Sequence, residues 1–305
     1  MRQKKIIANW KLNADYVSMS KFADNISTVD GVDILVAPSC INLIPAMNLF
    51  RKRSISVIGQ NVNLATIGNH TGSISWIELK DYGIKTVIVG HPEVTKDFHE
   101  SENTINKKVK MLLENNMKVV LCIDESRVDL LSDSTKEVIR LKIKKALAHI
   151  NKSYFAENLI IVYKPTFVNE NNIIATPEFI IETIKIIRIF FRDEYGYFIG
   201  NNIPILYGGD FLSSEIDSIV CSEHLDGLFI DDEKAISPQY LNLLIKYLFK
   251  YSTDEYSKYY ENNILISESL ESERSSSQEI NLNFDEYEID NDVYFKDVNI
   301  IDEEI

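Results

Sequence analysis

A chain of 305 residues that is 45% hydrophobic and 26% charged is long enough for one large barrel or two ordinary domains, and most of it is expected to fold as a globular protein. No apolar run nears the roughly 18 residues that a membrane-spanning helix needs, and Met1-Arg-Gln-Lys leads into an apolar run without a signal-peptide core, so a cytoplasmic protein with no membrane attachment is expected. Three widely spaced cysteines, Cys40, Cys122 and Cys221, form no CxxC pair, which argues against a disulfide framework and against a zinc site.

The net charge of −14 is unevenly spread. From Ser252 onward sixteen Asp and Glu face only Lys258, Arg274 and Lys296, a net of −13, so residues 1–251 carry about −1. A body without basic excess lacks the electrostatic footprint of a nucleic-acid-binding protein. Two units are therefore expected: a folded body over 1–251 and an acidic, disordered tail over 252–305.

Along the body, short apolar, β-branched runs alternate with stretches of helical period. The runs are Lys5-Ile-Ile-Ala, Asp33-Ile-Leu-Val-Ala, Ser56-Val-Ile, Thr86-Val-Ile-Val, Lys118-Val-Val-Leu-Cys, Leu159-Ile-Ile-Val-Tyr, Ile203-Pro-Ile-Leu-Tyr and Leu225-Asp-Gly-Leu-Phe-Ile. Helical patterns fall between them, among others over Thr104–Glu114, Thr135–Ala148, Pro177–Phe191 and Pro238–Tyr247. Near-continuous apolar strands, each followed by a helix, read as parallel strands buried on both faces. Eight such units in about 250 residues fit an α/β fold of the closed (β/α)8 type better than an open doubly wound sheet. No Gly-rich dinucleotide motif or P-loop follows any run, and no cofactor is implied. In such a barrel chemistry belongs to the loops after the strand C-termini.

Those loops carry an ordered set of motifs: Asn9-Trp-Lys-Leu-Asn, Gln60-Asn61, Gly68-Asn-His-Thr-Gly-Ser, Gly90-His-Pro-Glu-Val with Glu100-Ser-Glu, Cys122-Ile-Asp-Glu, Tyr163-Lys-Pro with Ala175-Thr-Pro, Tyr207-Gly-Gly and Asp226-Gly. The set resembles the triosephosphate isomerase family over about residues 1–250, in order and at the family's spacings. The resemblance implies a TIM barrel and the glycolytic interconversion of glyceraldehyde 3-phosphate and dihydroxyacetone phosphate. In that reaction a carboxylate abstracts a proton, a neutral imidazole polarises the carbonyl and a loop closes over the site, this family being itself a standard worked case of such tuning. A lysine stabilises the developing enediolate charge. The resemblance gives Lys11 as that lysine, Asn9 as its neighbour and His91 as the electrophile, with Glu93 placed to pair with Lys11. It also implies a homodimer, with Thr71 and Gln60 at the interface.

Other positions depart from the family pattern. Lys164 stands where the family has its catalytic Glu in Tyr-Glu-Pro. Lysine takes a proton at pH 7 only if its pKa falls by about three units, and loss of a positioned base removes about 10²–10⁴ in rate. Gly208 and Gly209 are kept, but the other phosphate-site positions read Glu170 for Gly, Asp210 for Ser and Asp231-Asp232 for Gly-Gly. Backbone donors need the close approach that Gly permits, and two unit charges about 6 Å apart repel by about 3 kcal/mol at an effective dielectric of about 20. Pro92 and Val94 replace the Ser and Arg of Gly-His-Ser-Glu-Arg, and a Pro in the first turn leaves the helix expected there intact.

Three functional readings follow. In the first, isomerase activity is lost or very weak and the barrel serves a structural, regulatory or partner-binding role. In the second, the protein is a working triosephosphate isomerase with a rewired base, Glu170 or another loop carboxylate, that still takes triose phosphate. In the third, the acidic cluster accepts an amine or a divalent metal. For the tail, a solvating segment is one reading. The other makes Ile280-Asn-Leu-Asn-Phe and Val293-Tyr-Phe docking motifs for a basic protein partner.

Overall fold

The computed structural model describes residues 2–167, 173–252 and 295–297. Eight parallel strands form one sheet: β1 (Lys4–Asn9), β2 (Val32–Ala37), β3 (Ile55–Val57), β4 (Thr86–Val89), β5 (Lys118–Ile123), β6 (Leu159–Tyr163), β8 (Ile205–Tyr207) and β9 (Gly227–Ile230). Their order, β3-β2-β1-β9-β8-β6-β5-β4, brings β3 and β4 to the same seam. There the Gly59–Val87 bridge closes the ring, through Gly59 N–H to Thr86 O and Ile88 N–H to Gly59 O, both 2.9 Å. The eight-stranded barrel expected from the sequence is present.

Strand alternation divides the core in two. One side chain in two points into the ring, where Ile7, Leu35, Ile58, Val120, Val162 and Phe229 fill the interior. The intervening residues, such as Ile6, Val36, Leu121 and Ile161, pack outward against the helices. At the base of β9 the backbone of β1 passes so close that a Cβ on Gly227 would lie 1.8 Å from Lys5 O, and only glycine fits.

The expected helices form as Glu102–Glu114, Thr135–Ala146, Pro177–Tyr195 and Pro238–Lys250. Each starts just after a Ser or Thr, and three of those side chains accept a backbone N–H of the first turn, the cap that satisfies otherwise orphaned donors. Pro92 sits at the first position of helix Pro92–Phe98 and leaves it intact. The barrel base is tied by Asp226, which accepts from Arg2 Nε at 2.5 Å, from buried Arg188 Nη2 at 2.5 Å and from Ile205 N–H at 2.8 Å.

Most of the acidic tail, and with it the expectation of disorder and the motif at Ile280, lies outside the described residues. Its segment Phe295–Asp297 (β10) pairs antiparallel with Ile173–Ala175 (β7), which follows the loop after β6. Part of the Val293-Tyr-Phe motif thus rests on the chain's own barrel.

Candidate active site

Asn9, Lys11, Gln60, His91, Glu93, Lys164 and Asp231 converge at the C-terminal end of the barrel. Asn9 ends β1, and its Oδ1 accepts from Lys11 N–H at 3.3 Å. Lys11 adopts φ +48°, a left-handed conformation that costs a non-glycine residue on the order of 1 kcal/mol. Gln60 holds that turn by donating to Lys11 O at 3.0 Å and Ala37 O at 2.8 Å. Gln60 therefore braces the site floor as well as lining the groove expected to meet a partner copy.

His91 is the N-cap of helix Pro92–Phe98, and its Nδ1 accepts the Glu93 N–H at 3.3 Å. An accepting Nδ1 puts the proton of the neutral ring on Nε2. Nε2 lies 2.9 Å from Asp231 Oδ2, so the one donor the ring can offer is directed at a carboxylate of the protein. Lys11 Nζ contacts Glu93 Oε1 at 2.6 Å and Asp231 Oδ2 at 3.3 Å.

Asp231 is the hub. On its other oxygen, Oδ1, it accepts Lys164 Nζ at 2.9 Å, and Lys164 also donates to Gly208 O at 2.9 Å. Lys164 is 3% exposed and Asp231 8%. Burial works against the Asp231 charge, but the His91 hydrogen bond and the charges of Lys164 and Lys11 outweigh it and hold the carboxyl well below the usual carboxylate range. Burial alone would lower Lys11; Asp231 and Glu93 reverse that and raise it.

Opposed charges foreseen as a cation at the base position and carboxylates at the anion site are thus paired with each other. The charge that Asp231 would turn toward a phosphate is partly offset within the protein. Beside Gly208-Gly209-Asp210 and Asp231-Asp232 lies one small cavity of about 20 Å³, room for about one water. Asp232 caps Lys234 N–H at 3.0 Å, and its Oδ2 lies 3.7 Å from Lys234 Nζ. Burial, followed by the Asp232 charge, raises the Asp210 carboxyl. Glu170 lies outside the described residues, and Thr71 is exposed on the loop after β3.

Sequence reasoning flagged Asp231 as an altered phosphate position but missed it as the partner of Lys164. The signal was there, a new cation and a new anion at the ends of β6 and β9. Glu125 was quoted in a motif without a role. Fully buried, it accepts the Tyr163 hydroxyl, while its backbone O takes Thr166 Oγ1 at 2.8 Å, anchoring the start of the loop after β6. Burial raises its carboxyl. Among the described residues no group of three or more His, Cys, Asp or Glu is placed to hold a metal ion, and no helix is long and apolar enough to cross a membrane.

The closed parallel ring, with its polar side chains gathered on the loops that follow the strands, defines a (β/α)8 barrel of the kind whose ligands bind at the strand C-termini. The sequence matches the triosephosphate isomerase family model over residues 4–246. It is 30% identical over 251 residues to the triosephosphate isomerase of Thermodesulfovibrio yellowstonii, covering 81% of this chain and 100% of that protein. It is 33% identical to that of Fusobacterium nucleatum and 32% to that of Flavobacterium psychrophilum, each over 74% of this chain and 92% of the relative. The chain belongs to the triosephosphate isomerase family.

Proposed function

We propose that this barrel has lost isomerase activity, or retains only a trace of it, and is kept for a structural, regulatory or partner-binding role. The observation that carries this reading is the buried Lys164–Asp231 pair. One residue occupies the position of the family's base and the other a phosphate-cradle position, and each satisfies the other. His91, in turn, offers its proton to Asp231 and not to a substrate carbonyl. Turnover would require the ion pair to open and another group to take the proton.

Asn9, Lys11 and His91 keep their family positions, which favours the alternative of a working isomerase with a rewired base among the loop carboxylates. Calorimetric titration with dihydroxyacetone phosphate separates the two. No heat of binding at millimolar ligand supports the lost enzyme, whereas micromolar affinity supports the alternative.

The protein is further proposed to be a cytoplasmic homodimer. A groove of about 560 Å³ runs between the loop after β3 and helix Pro92–Phe98, and Leu12 and Phe98 are 89% and 76% exposed along it. Apolar side chains left open beside a groove mark an interface, and here the exposed loop bearing Thr71 is the self-complementary element that a second copy supplies.

A further inference from the structure

At the end of the barrel opposite the active site, the β3/β4 seam opens. β3 pairs with β2 and β4 with β5, but below the Gly59–Val87 bridge no pairing among the described residues joins β3 to β4. The resulting cleft of about 440 Å³ is floored by Ile55 and Thr86 and lined by four cations, Arg51, Arg53, Lys85 and Lys118. All four are exposed. None makes an ion pair among the described residues; Arg53 Nη1 reaches only Ile26 O, at 3.2 Å. Among the described residues no acidic side chain lines the cleft. On a body near neutrality, four unpaired cations in one concavity focus a positive field.

The same chain carries the complementary charge. Residues 252–305 have a net charge of −13. They leave the barrel at the cleft's end of the fold, where Ser252 packs on Gly31 just before β2, its hydroxyl 2.8 Å from where a Cβ would sit. The chain then returns to its own barrel, since Phe295–Asp297 pairs with Ile173–Ala175 at the opposite end, beyond β6. Of the two arcs of the ring from the point of departure at β2 to the point of return beyond β6, one passes the cleft at β3, β4 and β5. An extended chain covers about 3.3–3.6 Å per residue, so the intervening 253–294 reach past it with ample slack.

The densest acidic stretch stands just before the returning strand. Asp285-Glu286-Tyr-Glu288-Ile-Asp290-Asn-Asp292 holds five carboxylates and no cation. Four of them, at 286, 288, 290 and 292, alternate as an extended segment needs to place them on one face. We propose that this acidic run of the chain's own tail seats in the basic cleft, in cis, and tethers the tail across the β3/β4 seam.

Zero-length carbodiimide coupling of the full-length protein tests this, because it joins a carboxylate to an amine only where the two are in contact. Mixed ¹⁵N-labelled and unlabelled chains distinguish tethering in cis from tethering by a neighbour. The expected result is links from Lys85 or Lys118 to the peptide holding Asp285–Asp292, within one chain, at about 0.1 M salt and lost near 1 M. Reversing all four cations to Glu, or converting the five carboxylates to their amides, is expected to speed proteolysis of the tail by roughly tenfold or more. The second variant leaves the barrel untouched, so it reads out even if the first folds poorly. Links confined to other lysines, links joining labelled to unlabelled chains, or proteolysis unchanged in the tail variant would overturn the proposal.

Discussion

Lys164 Nζ and Asp231 Oδ1 stand 2.9 Å apart, both side chains buried, in the centre of a site where the family's chemistry needs a free carboxylate and an open anion cradle. Lys164 has Asp231 as its one carboxylate partner among the described residues, with a backbone carbonyl completing its contacts, while Asp231 also faces Lys11 and His91.

Removing one partner should therefore cost stability. Lys164→Met is expected to destabilise the fold by about 3–5 kcal/mol in chemical denaturation, and Asp231→Asn by a comparable amount. The double variant should lose much less than the sum of the two. Additive losses would show that the residues do not act as a pair.

The same pair sets an acid limit. The Asp231 carboxyl is held below its ordinary value in the folded state, so its stabilising effect is present above the usual carboxylate range and disappears as the pH falls toward the folded value. The stability difference between the native protein and Asp231→Asn should be full at pH 7 and shrink below about pH 4. A difference that stays constant from pH 7 to pH 3 contradicts this.

Restoring the glutamate alone should not restore activity. Lys164→Glu places a second carboxylate beside Asp231 and leaves Asp210, Asp231 and Asp232 in place. Lower stability is expected, with no turnover above background. Reverting Lys164 to Glu together with Glu170→Gly, Asp210→Ser and the Asp231→Gly and Asp232→Gly pair should do better than any single change. An active single reversion would show that the phosphate cradle is intact.

Assembly is checked by sedimentation. A symmetric homodimer is expected at micromolar concentration, and Thr71→Glu should shift it toward monomer by putting a charge on the inserting loop. A native protein that sediments as a monomer refutes the interface at this loop.

Strand and helix positions were legible because each barrel strand is an apolar run bounded by polar loop residues, and helices such as Pro177–Tyr195 announce themselves by a Thr cap and a proline at the first position. The convergence of Lys11, His91, Glu93 and Lys164 was legible through ordered motifs at strand ends. What the sequence could not reveal was which charges meet. Asp231 read as an obstacle to phosphate, and its contacts with Lys164, His91 and Lys11 depend on the ends of strands β9, β6, β4 and β1 meeting at one mouth of the ring, a long-range relation with no local signal. The path of the tail was equally hidden, since Phe295–Asp297 shows no turn chemistry pointing to Ile173–Ala175.

The central claim is tested most directly by turnover of glyceraldehyde 3-phosphate, measured in a coupled assay on protein prepared from a host lacking its own isomerase. The expected result is no activity above background, since loss of the base removes about 10²–10⁴ in rate and weakened phosphate binding removes a further factor of about ten for each 1.4 kcal/mol. Turnover at tens per second or faster, abolished by His91→Ala, would contradict it.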